Sequence, residues 1–407
     1  MDPTSIISLA DIRAARQRLA GRILVSPCTE SAWLSELTGT RLFLKLENLQ
    51  HTGSFKERGA GNVLAMLSSS ERERGVITAS AGNHGQAVAL HASRLGIAAT
   101  IVMPETTPLV KIESTRRFGA KVELLGKSYD EAAEHATQLG TERGLVYVHP
   151  FDDARVMAGQ GTLGLELLEQ QADLDAVVVP VGGGGLLAGV ACAIKETNPR
   201  VRVYGVESRA FPGMRAALAT EPPESLPRGK TIADGIAVRK VGTLTVPVVR
   251  KYADDVVLVD EEEIAEAILV LLEREKTVAE GAGAVGLAAM LHRHLDLAGM
   301  RVGVVLSGGN IDVTLMARIL SRGLVKTGRL TRLFLTVPDV TGTLAGLTEV
   351  VARARANIME INHDREFSGA ELGETRIELV LETHGFEHIR RVRDLLERAG
   401  YRLLPGA

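Results

Sequence analysis

The sequence predicts an α/β protein with parallel sheets, followed by a smaller α+β unit toward the C-terminal end. Short runs rich in valine and isoleucine alternate with helical segments between residues 41 and 309, as in parallel sheets covered by helices. Near Ser321 this rhythm changes, and a shorter pattern of strands and helices follows. The chain has 407 residues, a length that suits two or three domains.

The first part begins with a predicted helix. Ser8 and Asp11 have the spacing of a helix start, and the amphipathic run continues to Leu19. Beyond it, short apolar runs bounded by polar residues or glycine predict buried strands. These runs span residues 41–47, 75–80, 98–104, 121–126, 145–150, 176–181, 201–207, 255–260 and 301–309.

The last part predicts a compact unit of its own. Residues 321–332 (SRGLVKTGRLTR) are typical of a connector, and we place a linker at 323–330. Strands and helices then follow in the order β-α-β-β-α-β, a ferredoxin-like arrangement. The predicted strands are 332–338, 358–366, 374–383 and 401–404, and the predicted helices are 342–356 and 386–400.

Composition excludes several classes of protein. The net charge is −3 and aromatic residues make up 3%, which argues against nucleic-acid binding. Cys28 and Cys192 cannot form a disulfide framework, and the first residues lack a signal-peptide layout, so we expect a cytoplasmic protein. The uncharged stretch 176–194 is interrupted by Pro180 and four glycines. It therefore predicts a strand, a turn and a helix rather than a membrane span.

Lys56 lies in the first candidate motif, Ser54-Phe55-Lys56-Glu57-Arg58-Gly59-Ala60, after a predicted strand and a polar loop. A lysine amine is protonated near its ordinary pKa of about 10.4 and is then a weak nucleophile. When it is desolvated, the neutral amine can form a Schiff base with an aldehyde cofactor. The alternative is a solvated lysine in the first turn of a helix.

The second motif, Ser80-Ala81-Gly82-Asn83-His84-Gly85-Gln86, connects a strand to an apolar helix. Such a turn presents backbone N–H groups at a helix N-terminus, where a carboxylate can bind. Asn83 can add an amide donor. The alternative is a well-capped turn without a ligand, in which His84 is structural.

The third motif is Gly182-Gly183-Gly184-Gly185-Leu186, between a strand and a helix. Consecutive glycines let the backbone close on a phosphate, and the dipole of the following helix favours the negative charge. A merely flexible turn is the alternative.

A dinucleotide fingerprint competes with this interpretation. Gly183-x-Gly185-x-x-Ala188 matches the fingerprint, and Glu207 ends the next strand at a plausible distance for a ribose. A second match begins at Gly281 but follows no predicted strand, so we discount it. The first match leaves Lys56 and the Asn83 loop without a role.

The fourth motif is Ser307-Gly308-Gly309-Asn310, at the end of a predicted strand. A hydroxyl group there can pair with a heteroaromatic nitrogen at the crevice of the sheet. Other catalytic templates are missing from the sequence: there is no GxSxG, HExxH, P-loop or CxxC motif.

In this order, the motifs resemble those of threonine/serine dehydratases (threonine ammonia-lyases) of the tryptophan-synthase-β-like pyridoxal-phosphate family, fold type II. The resemblance rests on GSFKERGA, TASAGNHGQAVA, AGQGTLGLE, VPVGGGGLLAG, TIADGIAV and VLSGGN. The C-terminal part resembles an ACT domain in the pattern Val337-Pro338-Asp339-x-x-Gly342-x-Leu344 and in Asn357-Ile358.

The resemblance implies a role for each matching residue. Lys56 would hold pyridoxal 5'-phosphate as an aldimine and move the Cα proton of the substrate. The substrate carboxylate would be bound by Ser80, Ala81, Gly82, Asn83 and His84. The cofactor phosphate would be bound by Gly182, Gly183, Gly184, Gly185 and Leu186. Ser307 would face the pyridine nitrogen, and Phe55, Asn83 and Gly235 would line the cofactor.

The implied reaction is elimination of water from threonine or serine, followed by release of ammonia and a 2-oxo acid. Serine racemases share these motifs but resemble a pattern with serine where this chain has Ala81. Racemisation needs a second acid on the opposite face of Cα, which alanine cannot supply, so we predict dehydration. Racemases of this kind also have a cation site with two carboxylates, and Glu207 matches the first of them. Gly213 stands in that second place, so we predict no metal.

The resemblance also implies a domain organisation. A large cofactor-binding domain would comprise residues 1–50 and 150–322, and a small catalytic domain residues 51–149. After the linker at 323–330, an ACT domain (331–407) would bind an amino-acid effector near Gly342, Asn357 and Ile358, or would only hold a dimer or tetramer together.

Three questions stay open from the sequence. A non-catalytic amino-acid sensor and a dinucleotide oxidoreductase remain as alternatives to the lyase. The preferred substrate is undetermined, and so are the effector and a biosynthetic role, such as in isoleucine formation, as against a catabolic one.

Overall fold

The computed structural model describes residues 6–220, 227, 229–365 and 371–404. The predicted domains also include residues 1–5, 221–226, 228, 366–370 and 405–407, which lie outside the described residues, as does the end of the predicted strand 358–366. The chain forms two compact units, Met1–Asp312 and Val313–Ala407, here called the N-terminal unit and the C-terminal unit. Each is described by itself.

The N-terminal unit alternates helices with strands, as the sequence predicts. Ser8 and Asp11 form a reciprocal capping box at the start of the first helix, which confirms the predicted helix start. The helices are α1 (Leu9–Leu19), α2 (Ala32–Thr38), α3 (Lys56–Met66), α4 (Ser69–Arg74), α5 (Asn83–Arg94), α6 (Leu109–Arg117), α7 (Tyr129–Arg143), α8 (Ala154–Gln170), α9 (Gly185–Thr197), α10 (Gly213–Leu218), α11 (Thr245–Tyr252), α12 (Glu261–Arg274) and α13 (Gly281–Leu291).

Two sheets form the framework of this unit. The strands are β1 (Cys28–Glu30), β2 (Arg41–Leu46), β3 (Val76–Ala79), β4 (Ala99–Met103), β5 (Lys121–Leu124), β6 (Val146–Tyr147), β7 (Ala176–Pro180), β8 (Arg202–Ser208), β9 (Asp255–Val259) and β10 (Arg301–Leu306). One sheet has the order β1-β2-β10-β7-β8-β9, and the other has the order β5-β4-β3-β6. All pairs are parallel except β1 with β2. The predicted parallel α/β architecture is confirmed.

Two features of the predicted strands need comment. The uncharged stretch 176–194 forms β7, a glycine turn and most of α9, and no described helix is long and apolar enough to cross a membrane. The strand predicted at 145–150 is shorter, because β6 ends at Tyr147. Pro150 has no N–H to donate, and the ring of His149 accepts the N–H groups of Phe151 and Asp152, so the chain leaves the sheet.

The C-terminal unit begins with one further helix, and the predicted β-α-β-β-α-β order follows it in the chain. Its elements are α14 (Val313–Lys326), β11 (Leu330–Pro338), α15 (Thr343–Arg353), β12 (Asn357–Asp364), β13 (Glu374–Glu382), α16 (Phe386–Arg398) and β14 (Arg402–Leu404). The sheet is antiparallel, with the order β12-β13-β11-β14. Its apolar face packs against α15 and α16 around Leu335, Leu347 and Leu396.

The linker predicted at 323–330 is wrong in its bounds. Helix α14 continues through this stretch to Lys326, and β11 begins at Leu330. Gly323 lies inside the helix, where glycine is tolerated at a cost of about 1 kcal/mol. The turn comes at Gly328, which has a φ of +66°. The sequence has glycines at both positions, 323 and 328, and does not show which of them ends the helix.

Candidate active site

Lys56 is the first residue of α3, and the end of β10 fixes its position. The N–H of Phe55 donates to the carbonyl of Ser307 at 3.0 Å, and Ser54 pairs with Gly308 in an isolated antiparallel bridge. The structure therefore brings the first and fourth motifs, far apart in the sequence, into direct contact.

The Lys56 amine has no carboxylate partner within hydrogen-bond distance in the described part of the chain. Its Nζ donates to the carbonyl of Pro150 at 2.8 Å. Burial lowers the pKa of Lys56 to about 8, against a smaller opposing effect of Glu280. At pH 8 about half of the amine is then neutral, compared with well below 1% for an ordinary lysine. This lysine can act as a nucleophile and as a base.

A comparison with Lys45 shows what is particular to the surroundings of Lys56. Lys45 is fully buried, and its Nζ donates to Glu166 (2.7 Å), to Gln170 (2.9 Å) and to the carbonyl of Ser26 (2.7 Å). Because an ion pair with a carboxylate favours the charged form, burial alone does not mark a reactive lysine. Lys56 differs from Lys45 because no carboxylate in the described ranges pairs with its amine.

The glycine turn between β7 and α9 is shaped by its packing. A Cβ atom on Gly183 would lie 2.3 Å from the ring of Phe151, and Gly184 has a φ of +94°, which favours glycine. Among the residues that the structure describes, none accepts a hydrogen bond from the backbone N–H groups of residues 183–186. These groups lie at the N-terminus of α9 and are available to a phosphate.

Two side chains that the sequence analysis missed hold this turn. Thr245 donates its hydroxyl hydrogen to the carbonyl of Gly183 at 2.7 Å. The carboxylate of Asp152 accepts the N–H groups of Thr243 (2.9 Å) and Leu244 (2.7 Å). Asp152 follows the shortened strand β6, so the end of the smaller sheet is tied to the glycine turn.

The second motif forms the turn between β3 and α5, as predicted. The backbone N–H groups of Ala81, Asn83 and His84 donate to no acceptor in the described part of the chain, and α5 begins at Asn83. His84 donates from Nε2 to the carbonyl of Val148 at 3.0 Å. Burial, reinforced by the nearby Lys56, lowers the pKa of His84 to about 3, so the ring is neutral. The turn can bind a carboxylate through its backbone.

Asn83 is held by two neighbours. Its Nδ2 donates to Oε1 of Glu280 at 2.7 Å, and its Oδ1 accepts from Nδ2 of Asn310 at 2.7 Å. Glu280 is a buried carboxylate that the sequence analysis missed, since no local pattern marks it. Burial raises the pKa of Glu280 to about 7.

Ser307 and Gly235 also lie at this site. The Ser307 hydroxyl is buried and donates to the carbonyl of Ala282 at 3.4 Å. A Cβ atom on Gly235 would lie 3.0 Å from the Cβ of Ala282 and 3.5 Å from Oε1 of Glu280. The fourth motif and the TIADGIAV loop therefore meet at one end of α13.

The dinucleotide interpretation requires Glu207 to bind a ribose, but this carboxylate has other partners. The carboxylate of Glu207 is buried and accepts the N–H groups of Met214 (2.7 Å) and Arg215 (2.9 Å), at the start of α10. Both oxygens therefore cap the start of α10, which gives this buried carboxylate a structural role. The second fingerprint lies within α13, where Gly281 and Gly283 allow close packing against Ile232 and Gly308. No group of three or more metal-binding side chains occurs among the described residues.

The residues predicted to bind an effector are spread over the C-terminal unit. Gly342 precedes α15 with a φ of +93°. Asn357 is exposed and donates from Nδ2 to Glu382 at 3.2 Å, whereas Ile358 packs against the core of the unit.

Comparison with known proteins places this site in a family. A model of the family described as pyridoxal-phosphate dependent enzyme matches residues 19–308. The chain belongs to this family. The match includes the four motifs of the N-terminal unit up to Gly308 and does not extend to the C-terminal unit.

Relatives within the family are similar over most of their length. An L-threonine ammonia-lyase of Thermotoga maritima is 50% identical over 396 residues, covering 97% of this chain and 98% of that protein. The structure of the processed form of threonine deaminase isoform 2 from Solanum lycopersicum is 38% identical with a TM-score of 0.72, covering 77% of this chain and 86% of that one. A maize serine racemase structure is 35% identical with a TM-score of 0.74, covering 79% and 99%.

The site fits the cofactor of this family. Pyridoxal phosphate requires an amine for its aldehyde and hydrogen-bond donors for its phosphate. Lys56 provides an amine with no carboxylate partner among the described residues, and the turn at residues 183–186 provides unoccupied N–H groups. A side chain on Gly183 would clash with Phe151, which accounts for the glycine at that position.

Proposed function

We propose that the chain is a pyridoxal-phosphate-dependent threonine/serine dehydratase. It converts L-threonine to 2-oxobutanoate and ammonia, and L-serine to pyruvate and ammonia. The Lys56 amine carries this proposal, because its pKa is lowered to about 8 by burial and no described carboxylate pairs with it. The 50% identity to an L-threonine ammonia-lyase over 97% of the chain supports the choice of reaction and substrate.

Each group of the site has a role in this proposal. The N–H groups of Gly182–Gly185 and Leu186 bind the phosphate, and the turn at Ser80–His84 binds the substrate carboxylate. Phe55 and Gly235 line the cofactor, and Ser307 faces its ring nitrogen. When bound, pyridoxal phosphate supplies an electron sink for the negative charge that develops at Cα.

The chain itself moves one proton in this scheme. Lys56 Nζ takes the Cα proton of the substrate as the bond between Cβ and the hydroxyl oxygen breaks. The hydroxyl group would leave as water with a proton from the phosphate of the bound cofactor, and the proton held by Lys56 would restore the balance. The neutral His84 ring, bound to Val148, takes no part in this transfer. Water re-enters when the eliminated product hydrolyses, so that the net products of threonine are 2-oxobutanoate and ammonia.

Racemisation is the second candidate, since serine racemase structures are similar to this chain, one of them at 35% identity. Inversion at Cα needs an acid on the face opposite to Lys56. The second motif places Ala81 beside Ser80, and alanine has no proton to give. We therefore assign elimination to this site.

The direct test uses the purified holoenzyme with L-threonine or L-serine. We expect 2-oxo acid and ammonia in equal amounts, and no D-amino acid by chiral chromatography. The Ala81→Ser variant, which restores a hydroxyl group there, is the matched comparison and should form more D-serine than the wild type. Formation of D-serine by the wild type at a rate comparable to that of pyruvate would contradict the assignment, and absence of any 2-oxo acid would overturn the proposal.

We also propose the finer domain organisation. The smaller sheet with its helices, residues 51–149, forms the small catalytic domain, and residues 1–50 and 150–312 form the large domain. We end the large domain at Asp312, where the N-terminal unit ends, rather than at residue 322 as predicted from the sequence. Two hydrogen bonds support a close connection between the two domains: the N–H of Phe55 donates to the carbonyl of Ser307, and Nδ2 of Asn83 donates to Glu280.

The C-terminal unit is proposed as an ACT domain that binds an amino acid near Gly342 and Asn357 and pairs with a second copy. Its order of elements supports this, as do Met359 (62% exposed) and Ile361 (36% exposed) on the edge strand β12. Equilibrium dialysis with isoleucine and valine tests the binding, and light scattering of the full chain tests the assembly into a dimer or tetramer. A monomer that binds neither amino acid would contradict both.

A further inference from the structure

Glu280 lies where several parts of the site meet. Its residue is 5% exposed, and its backbone N–H donates to the carbonyl of Gly308 at 3.1 Å. A Cβ atom on Gly308 would lie 2.3 Å from Oε1 of Glu280, so only glycine at that position leaves room for the carboxylate. The Glu280 side chain is therefore packed between the end of β10 and the Asn83 amide.

The hydrogen bonds around Asn83 determine which way its amide points. The carbonyl of Thr52 can only accept, so the group of Asn310 that lies 2.6 Å from it must be the Nδ2 donor. The same Nδ2 lies 2.7 Å from Asn83, which must present its Oδ1 there. The Asn83 Nδ2 consequently faces Glu280.

The opposite orientation of the amide is unfavourable at both ends. It would place Oδ1 of Asn83 against the carboxylate of Glu280, and Nδ2 against the Nδ2 of Asn310. In the orientation with Nδ2 toward Glu280, one of the two Nδ2 hydrogens binds Glu280, and the other has no acceptor among the described residues. A free N–H of fixed direction suits an oxygen of the cofactor or the substrate.

We propose that Glu280 is a positioning residue that orients the Asn83 amide toward the bound cofactor and acts on it through its charge. The proposal assumes that pyridoxal phosphate binds at the site described above, but it does not depend on which amino acid is the substrate. Glu280 itself transfers no proton to the substrate in this scheme.

The charge of Glu280 changes within an accessible pH range. Burial raises its pKa to about 7, and Asp234 adds to this effect. The hydrogen bond from Asn83 and the charges of Lys111 and Lys56 oppose it. Below this pH Glu280 is neutral, and above it the carboxylate is ionised and makes a stronger, charge-assisted bond with Asn83.

The experiment is a pH titration of the visible absorbance of the holoenzyme without substrate, from about pH 5 to 9. The wild type should show a transition near pH 7, and the isosteric variant Glu280→Gln should lack it. Glu207→Gln is the matched control, because Glu207 is a buried carboxylate whose pKa is also raised to about 7 by burial. Its hydrogen bonds among the described residues go to the start of α10 and not to Asn83. This control should titrate like the wild type.

A second variant, Asp234→Asn, tests the same titration without any substitution in the buried part of the site. Asp234 has a side chain that is 63% exposed, and its negative charge raises the pKa of Glu280. Asp234→Asn should therefore move the midpoint of the absorbance transition to lower pH. An unchanged midpoint would mean that the transition does not belong to Glu280.

Turnover provides the last readout. Glu280→Ala removes the acceptor for Asn83, and we expect kcat/KM for threonine to fall about 10- to 100-fold, the effect of losing one hydrogen bond to a charged group. Glu280→Gln retains an acceptor and should recover most of this loss. If Glu280→Gln titrates like the wild type, the inference is wrong even when threonine is turned over. If the spectral difference appears without threonine turnover, the proposed substrate is wrong and the inference stands.

Discussion

Replacement of Lys56 by alanine should reduce kcat for threonine at least about 10³-fold, since one side chain supplies both the covalent attachment and the base. Among the described residues, Lys45 is no substitute, because its buried amine is bound to Glu166, Gln170 and Ser26. The measurement is 2-oxobutanoate formation by variants of equal purity.

Two further variants make this result specific. Lys56→Arg keeps a positive charge but stays protonated at all accessible pH values, so it should be as inactive as alanine. Lys195→Ala removes a partly exposed ion pair with Asp254, which contacts no residue assigned to the site, and should have the activity of the wild type. A Lys56→Ala variant that retains a tenth of the wild-type kcat would contradict the assignment of the base.

Arg58→Ala should have the largest effect on stability, with a loss of about 3–5 kcal/mol in the free energy of unfolding. The Arg58 guanidinium is fully buried and binds Glu47 (2.7 and 2.8 Å) and Glu166 (both contacts 2.7 Å). With Lys45 the cluster has two positive and two negative charges. Removal of Arg58 leaves two buried carboxylates with one cation.

An exposed pair of the same geometry provides the control. Arg41 binds Glu30 with two hydrogen bonds of 2.7 and 2.9 Å, and their side chains are 53% and 37% exposed. Arg41→Ala should cost no more than about 1 kcal/mol. Urea denaturation of both variants measures the difference, and equal losses would show that burial does not set the effect. Because Arg58 lies in the same first turn of α3 as Lys56, its loss should also displace Lys56.

The sequence was sufficient for the features that local patterns encode. The strands of the N-terminal unit other than β1 are predicted by the sequence, because valine and isoleucine runs such as that of β7 are buried along their whole length. The short strand β1 (CTE) has no such run and was missed. Lys56, the glycine turn and the Ser80–His84 turn were identified from residues that are adjacent in the chain. The β-α-β-β-α-β order of the C-terminal unit was predicted from alternation and helical periodicity in the same way.

The contacts between distant residues could not be predicted. Glu280 contacts Asn83 across 197 positions of sequence, and nothing around Glu280 distinguishes it from a surface carboxylate. Asp152 holds the loop at Thr243 only because β6 ends early and turns the chain toward the glycine turn. Arg58 belongs to the same motif as Lys56, but its partner Glu166 lies in α8, 108 positions away in the sequence.

The most direct test of the role of Lys56 is to identify the lysine that carries the cofactor. Borohydride reduction of the holoenzyme fixes the cofactor to that lysine, and trypsin does not cleave after a modified lysine. We expect the label in the peptide of residues 46–58, with cleavage missing at Lys56. A label in the peptide of residues 42–56, with cleavage missing at Lys45, would contradict the account, and so would the absence of any labelled peptide.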